Sequence, residues 1–213
     1  MSRVVYGNPP DFNEMLCWQR LLSPGDVFVD VGANVGVYSV WAAAHGANVV
    51  AVEPNPHAVA RLQANAILNG FHFDIHPKAL AASSGTQAFS TCGDVLGHLS
   101  DVGDVEVETI TLDELLDGRR ARGVKIDVEG YERLVLEGAC RSLSAGRIDY
   151  IQLEWNDTSL SLIGEDRSGV AAILASHQYA LAKPNETGTL ERVTSADMTH
   201  SHDLFACRPG LWP

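Results

Sequence analysis

The sequence predicts an α/β protein built on a doubly wound, mostly parallel sheet. Short β-branched strands alternate with helical segments along most of the chain, and a glycine turn joins the first strand directly to the first core helix. Strands that alternate with helices pair in parallel, because each helix crosses back over the sheet. Two more strands at the end of the chain predict an antiparallel hairpin at the edge, which gives a mixed sheet.

The elements follow from the hydrophobic pattern along the chain. The first helical segment, residues 11–22, stops at a Ser-Pro-Gly break, so we expect one domain over 1–213 with a helical cap over 1–23 and a core over 24–207. Residues 83–104 are rich in Ser, Thr, Gly and Asp, with only a weak strand pattern, which is typical of a mobile active-site loop. The predicted strands are 26–31, 48–52, 71–79, 123–128, 150–154, 179–183 and 203–207, and the predicted core helices are 35–45, 56–69, 112–116, 132–144 and 168–177.

The composition argues against some classes of partner. The formal net charge is −12 with only 15 Lys plus Arg, whereas nucleic-acid binding needs clustered cations. No apolar run approaches the roughly 20 residues needed to span a bilayer, and no signal peptide is recognisable, so we expect a cytoplasmic protein without nucleic-acid or membrane partners. The oligomeric state stays open, with a homodimer as one option. The cysteines lack metal-ligand spacing and are expected to be reduced: Cys17, Cys92, Cys140 and Cys207.

The turn after the first strand predicts a nucleoside site. Gly32 and Gly36 would let the backbone approach a ligand closely, because a side chain there would occupy the ligand's volume. Glu53 ends the second strand, where an acidic side chain can accept hydrogen bonds from both ribose hydroxyls. The turn and the acid both lie at the carboxyl edge of the predicted sheet, where open α/β sheets bind ligands.

The residues around the turn indicate which nucleoside is bound. The dinucleotide fingerprint G-x-G-x-x-G needs a second glycine to admit a pyrophosphate, and Asn34 occupies that position. Asp30 would repel a pyrophosphate but could pair with the ammonium of a methionine moiety. The pattern therefore favours S-adenosylmethionine (SAM). Two alternatives stay open: a nicotinamide-dependent oxidoreductase, and a non-catalytic protein that keeps the nucleoside fold as a scaffold.

Six motifs, taken in order, resemble the FkbM family of SAM-dependent methyltransferases. The resemblance covers roughly Pro24 to Cys207 and is specific because of the combination, above all the motif after the fourth strand. The motifs are Asp30-Val-Gly-Ala-Asn-Val-Gly, Glu53-Pro-Asn-Pro, the Asn65 and Asn69 pair, Lys78-Ala-Leu, Thr111-Leu-Asp-Glu-Leu and Lys125-Ile-Asp-Val-Glu-Gly-Tyr-Glu.

The resemblance implies a Rossmann-like, seven-stranded SAM-binding fold. It implies O-methylation of a small hydroxylated acceptor, often a sugar or a secondary metabolite. It also implies the residues around the cofactor, which are Asp30, Gly32, Ala33, Asn34 and Gly36 near the methionine part, Glu53 and Pro54 near the ribose, Ala79 and Leu80 beside the adenine, and Asp127.

Acidic side chains at the ends of the fourth and fifth strands are candidates for a general base. Asp127 and Glu154 should converge on the crevice, with Asn156 two residues further on. A carboxylate within hydrogen-bond reach can remove the hydroxyl proton as the new bond forms. Asp127 is our first choice and Glu154 our second, with His98 in the loop 97–100 as another candidate. The same oxygens could instead bind Mg²⁺, a hypothesis that we favour less, and we assign no metal ligand.

Three features have a structural interpretation beside the functional one. Glu129 precedes a helix, where a carboxylate can simply cap backbone N–H groups. Trp155 is expected either as an apolar wall for a sugar face or as a core residue. His200 and His202 resemble a ligand pair but have no further Cys or His nearby, so we expect them at the surface.

Overall fold

The protein is represented by a computed structural model that describes residues 11–91, 97–99, 103–155, 164–193 and 203–212. Its strands are β1 (Val27–Val31), β2 (Asn48–Val52), β3 (Asp74–His76), β4 (Ala79–Leu80), β5 (Gly85–Ser90), β6 (His98–Leu99), β7 (Val105–Ile110), β8 (Ala121–Ile126), β9 (Ile148–Glu154), β10 (Ala180–Pro184), β11 (Leu190–Arg192) and β12 (Asp203–Cys207). Its described helices are α1 (Phe12–Leu21), α2 (Val37–Ala44), α3 (Pro56–Leu68), α4 (Leu112–Leu116), α5 (Glu132–Glu137), α6 (Cys140–Ser144) and α7 (Ser168–Ser176).

The main sheet confirms the predicted α/β architecture. Within the described ranges it has eight strands in the order β11-β10-β12-β9-β8-β1-β2-β3. The strands from β3 to β9 in this order are parallel, whereas β12 runs antiparallel to both β9 and β10. The short β11 continues the antiparallel edge beside β10 and adds one strand to the seven expected. The strand order reverses at the boundary between β1 and β8, which are neighbours in the sheet. Doubly wound sheets bind ligands at such a switch point.

Apolar clusters cover both faces of this sheet. On one face, buried side chains of β8 and β9 such as Val124 and Ile151 pack in the same cluster as Leu136 of α5 and Leu174 of α7. On the other face, Phe28 packs with residues of α1, α2 and α3. Burial on both faces explains the nearly continuous apolar runs of β1 and β2.

A second sheet lies over the carboxyl edge and was predicted only in part. It contains four strands of the described chain in the order β4-β7-β5-β6. The predicted strand over 71–79 is wrong as one element, because the chain divides at Pro77 and Lys78 into β3 of the main sheet and β4 of the second sheet. The strand β7 was missed, although its burial alternates along Val105–Ile110. The expected loop over 83–104 contains β5 and β6, while 92–96 and 100–102 lie outside the described residues.

The predicted helix over 132–144 is two short helices. It breaks at Gly138, where a Cβ would lie 2.2 Å from the carbonyl oxygen of Ala81. This close approach packs the break against the start of the second sheet. The described helix α1, by contrast, lies close to the range expected from the sequence, and its Trp18 is fully buried against Phe28 with ring centroids 4.9 Å apart. None of the helices in the described ranges is long and apolar enough to cross a membrane.

Candidate active site

A cleft opens between the carboxyl edge of the main sheet and the second sheet. It encloses about 680 Å³ of space, part of it open to solvent. Polar groups come from the main sheet, whereas the second sheet supplies an apolar wall. The lining residues are Val31, Gly32, Asn34, Val52, Glu53, Pro54, Lys78, Ala79, Leu80, Phe89, Gly97, Leu99, Asp127, Val128, Glu129 and Tyr131.

The turn after β1 is fixed by contacts within the protein. The N–H groups of Gly32 and Ala33 donate to the carbonyl of Val52, at 3.0 and 3.1 Å. A Cβ on Gly32 would lie 1.8 Å from the carbonyl oxygen of Asp127, and one on Gly36 would lie 2.3 Å from the side chain of Leu62. Contacts within the protein therefore already require glycine at both positions, and the expectation that these glycines also make room for a ligand stays a prediction.

Glu53 joins the turn to the end of β2. Its carboxylate oxygens accept hydrogen bonds from the backbone N–H groups of Asn34 and Asn55, both at 2.8 Å. Burial raises the pKa of Glu53, and the two N–H donors oppose this shift. Each carboxylate oxygen can accept a further bond, so the geometry fits an acid that receives both hydroxyls of a ribose. Asn34 is held in a left-handed conformation, with φ of 51°.

Asp30 lies beneath the turn, outside the lining of the cleft. Its side chain is buried, and one oxygen accepts a 2.6 Å hydrogen bond from the hydroxyl of Ser39. The other oxygen has no hydrogen-bond partner among the described residues. Burial raises the pKa of Asp30, and Lys125 opposes the shift. Three of the predicted cofactor residues thus lie behind the cleft: Asp30, Ala33 and Gly36. The other predicted cofactor residues line it.

Asp127 lines the cleft where β8 ends. Its Oδ2 accepts a 2.7 Å hydrogen bond from Nζ of Lys125, while the side chain keeps 39% of its surface exposed. The Lys125 ammonium lies 4.7 Å from the centre of the Tyr38 ring, in the geometry of a cation–π contact. The sequence predicted Lys125 only as part of the motif after the fourth strand, although a lysine within a buried strand is itself a sign of a functional residue.

Glu154, the second candidate base, lies outside the cleft lining. Glu154 ends β9 and stands opposite Asp203 of β12 in the sheet register. Burial, together with Asp127 and other carboxylates, raises the pKa of Glu154 to about 8. Burial raises the pKa of Asp203 to about 7, and a hydrogen bond from Gln152 opposes this shift. The backbone of His98 pairs with Ser90 in the second sheet, but its side chain lies outside the described part of the chain, as does Asn156.

The capping interpretation of Glu129 is wrong, because Glu132 performs that role. Oε1 of Glu132 accepts bonds from the N–H groups of Val128 and Gly130, at 3.3 and 3.1 Å, and Oε2 accepts from Arg167. Glu129 itself has φ of 51° and lines the cleft. Burial raises its pKa, helped by Asp127 and Glu132. A carboxylate held on strained backbone in a cleft is typical of a functional residue.

Two further expectations are resolved. Trp155 is buried in the main apolar cluster and is absent from the cleft lining, so the core interpretation is correct. His200 and His202 lie outside the described ranges. Across the described residues there is no group of three or more His, Cys, Asp or Glu placed to hold a metal ion.

Two solved structures show the fold of the protein. A putative methyltransferase from Streptococcus mutans in complex with S-adenosylhomocysteine (SAH) superposes with a TM-score of 0.54 at 9% identity, covering 93% of this chain and 97% of that chain. Magnesium protoporphyrin IX methyltransferase from Synechocystis PCC 6803, with bound SAM, gives a TM-score of 0.51 at 16% identity, covering 97% and 89%. This likeness is to the fold of class I SAM-dependent methyltransferases.

The sequence comparisons give the family. The family model described as the methyltransferase FkbM domain matches residues 30–181. The 31-O-demethyl-FK506 methyltransferase FkbM of Streptomyces tacrolimicus is 30% identical over 200 residues, 75% of each chain. The hexuronic acid methyltransferase AglP of Haloferax volcanii is 32% identical over 126 residues, 56% of this chain and 52% of the relative. The chain belongs to the FkbM methyltransferase family, and its cofactor is SAM.

Proposed function

We propose that the protein methylates a hydroxyl group of a small molecule, a sugar or a secondary metabolite. The observation that carries this proposal is a single cleft lined by both Glu53 and Asp127, the expected ribose acid and the expected base. By their names, the two relatives act on 31-O-demethyl-FK506 and on hexuronic acid, which supports an acceptor of this kind. When bound, SAM supplies a methyl group activated by the positive charge on its sulfur.

The cofactor residues have distinct roles in this proposal. Glu53 and the left-handed Asn34 receive the ribose, because the carboxylate is already oriented by two backbone donors. Ala79 and Leu80 lie on the apolar side of the cleft together with Phe89, which suits a purine ring. The carboxylates near Gly32 suit the cationic end of the cofactor.

Asp127 is the base that we propose. One of its oxygens is held by Lys125, and no described residue hydrogen-bonds to the other, so the carboxylate is both oriented and able to accept a proton. Glu154 does not line the cleft, and its raised pKa of about 8 keeps most of it protonated at neutral pH. A protonated acid cannot take up the hydroxyl proton. The two carboxylates therefore have different roles.

Calorimetric titration with SAM and SAH, followed by transfer of labelled methyl to a panel of hydroxylated acceptors, tests the proposal. Glu53→Gln should weaken SAM binding by about 1 to 3 kcal/mol, because one hydrogen-bond acceptor for the ribose is lost. Asp127→Asn should still bind SAH, bind SAM less tightly relative to SAH, and lose most of the transfer. Glu191→Gln, on the far edge strand β11, is the matched control.

The outcomes separate the hypotheses. Absence of SAM binding by the native protein would contradict the proposal, and SAM binding without transfer to any acceptor would favour a scaffold. Repeating the transfer assay with Mg²⁺ and with a chelator tests the metal hypothesis. The oligomeric state and the cytoplasmic location stay predictions from the sequence.

A further inference from the structure

A row of polar side chains crosses the centre of the main sheet. In the register of the parallel strands, Asp30 of β1 is paired with Lys125 of β8, which is paired with Gln152 of β9. All three are buried, and Lys125 is only 4% exposed. A charged row inside a parallel sheet is costly unless its charges compensate one another. The position of this charged row directly beneath the cleft points to a role in the reaction.

Carboxylates occupy the sheet positions one step closer to the cleft. Asp127 follows Lys125 by two residues on β8, and Glu154 follows Gln152 by two residues on β9, with Asp203 opposite Glu154. Side chains two residues apart on a strand point to the same face. The ammonium of Lys125 therefore stands among several acidic groups and contacts Asp127 directly at 2.7 Å.

Lys125 carries its positive charge in the folded protein. Burial lowers the pKa of Lys125, but Asp127, Asp30 and Asp203 outweigh this effect and the net shift is upward. The face of the Tyr38 ring adds a further favourable contact with the cation. The two oxygens of Asp127 therefore have different roles: Oδ2 accepts the hydrogen bond from Lys125, and Oδ1 is available to a ligand.

We propose that Lys125 is a positioning residue with two effects: it orients Asp127 toward the acceptor, and it competes with the positive sulfur of SAM for that carboxylate. This inference rests on the proposed function. The acceptor oxygen forms a bond to the methyl carbon as the sulfur–carbon bond breaks, the electron pair stays on sulfur, and the hydroxyl proton passes to Asp127. The positive charge on sulfur disappears in this step. Lys125 therefore sets how strongly the site prefers the charged substrate SAM over the uncharged-sulfur product SAH.

Lys125→Met tests the charge because it keeps the length of the side chain and removes the cation. The ratio of dissociation constants, SAH over SAM, should rise by roughly three- to tenfold, as expected when one nearby competing charge is removed at a partly solvated site. The kcat should fall, because Asp127 loses its orienting donor. Lys183→Met, which removes a lysine of β10, should change neither quantity.

Lys125→Gln separates the two effects and serves as the second variant where Lys125→Met does not fold. Glutamine keeps an N–H donor for Asp127 without the charge, so the affinity ratio should rise as in the methionine variant while part of kcat is retained. Asp127→Asn should lower the ratio, because the carboxylate for which the two cations compete is neutralised. Calorimetry with SAM and SAH gives the ratio without any activity measurement.

Equal weakening of both ligands, or an unchanged ratio in the folded Lys125 variants, would overturn the inference, because it would leave Lys125 a purely structural role. Failure of the native protein to bind SAM would instead contradict the proposed function. The two failures are therefore distinguishable in the same titration.

Discussion

At the scale of single residues, the carboxylates of the site differ through their surroundings. Glu53 is held by two backbone donors, Asp127 by a lysine, and Glu132 by two backbone donors and an arginine. Glu154 is raised in pKa by burial and by its acidic neighbours. In the proposed function, the same chemical group therefore binds the ribose in one place, accepts a proton in another, and elsewhere supports a loop or holds a proton.

Removal of the Glu132 side chain should destabilise the protein strongly. Glu132 is fully buried, so Glu132→Ala removes the buried carboxylate that Arg167 contacts and that accepts from two N–H groups of the cleft loop. We expect a loss of about 3 to 5 kcal/mol in the free energy of unfolding, measured by urea denaturation. Glu137→Ala, which removes a partly exposed glutamate of the same helix, should cost much less. A small loss for Glu132→Ala would show that the loop does not depend on this carboxylate.

At the scale of elements, the sequence predicted the parallel core well and the covering sheet poorly. Strands β1, β2, β8 and β9 are buried on both faces; the apolar runs of β1 and β2 are easily recognised, whereas in β8 and β9 apolar residues are interspersed with charged and polar ones. The strand β7 has one exposed face and only six residues, with glutamates at alternate positions. A short half-exposed strand depends on its neighbours, and these are distant in sequence. Glu132, and not Glu129, accepts from the loop N–H groups, and its other oxygen contacts Arg167, a partner distant in sequence that no local pattern reveals.

A side chain on Gly32 should disturb the junction of β1 and β8. Gly32→Ala places a Cβ against the backbone carbonyl of Asp127 and also requires a left-handed alanine at φ of 72°. We expect SAM binding to be lost, because both walls of the cleft shift. Gly70→Ala is the matched control, since Gly70 has φ of 73° but open space around it. It should show only the backbone strain, about 1 to 3 kcal/mol by denaturation. Equal effects of the two variants would contradict the role of the close contact.

At the scale of the whole molecule, several carboxylates of this acidic chain lie close together at the end of the main sheet. The net charge of −12 leaves few cations to neutralise them, and Lys125 and Arg167 are both committed to carboxylate partners inside the fold. Acids that cannot all ionise together make the stability of the fold depend on pH.

Stability should fall as pH rises through the neutral range. The folded protein holds protons on Glu154 and Asp203 up to about pH 8 and 7, whereas the unfolded chain releases them near the ordinary values of 4.5 and 3.8. The folded state therefore binds more protons between these limits, and its stabilisation is lost as pH rises. Urea denaturation at several pH values between 5 and 8.5 should show a decline that is shallower in Glu154→Gln than in the native protein. A parallel decline in both proteins would contradict this account.

The two outer strands of the main sheet have a consequence for association between molecules. Within the described ranges, β3 and β11 are each three residues long; β3 contains Asp74, and β11 contains Glu191 and Arg192. A sheet with long, unpaired edge strands can pair with other chains and aggregate, whereas short, charged edge strands offer almost no template for pairing. Copies of this protein should therefore meet, if they meet at all, through side-chain surfaces and not by joining their sheets into one.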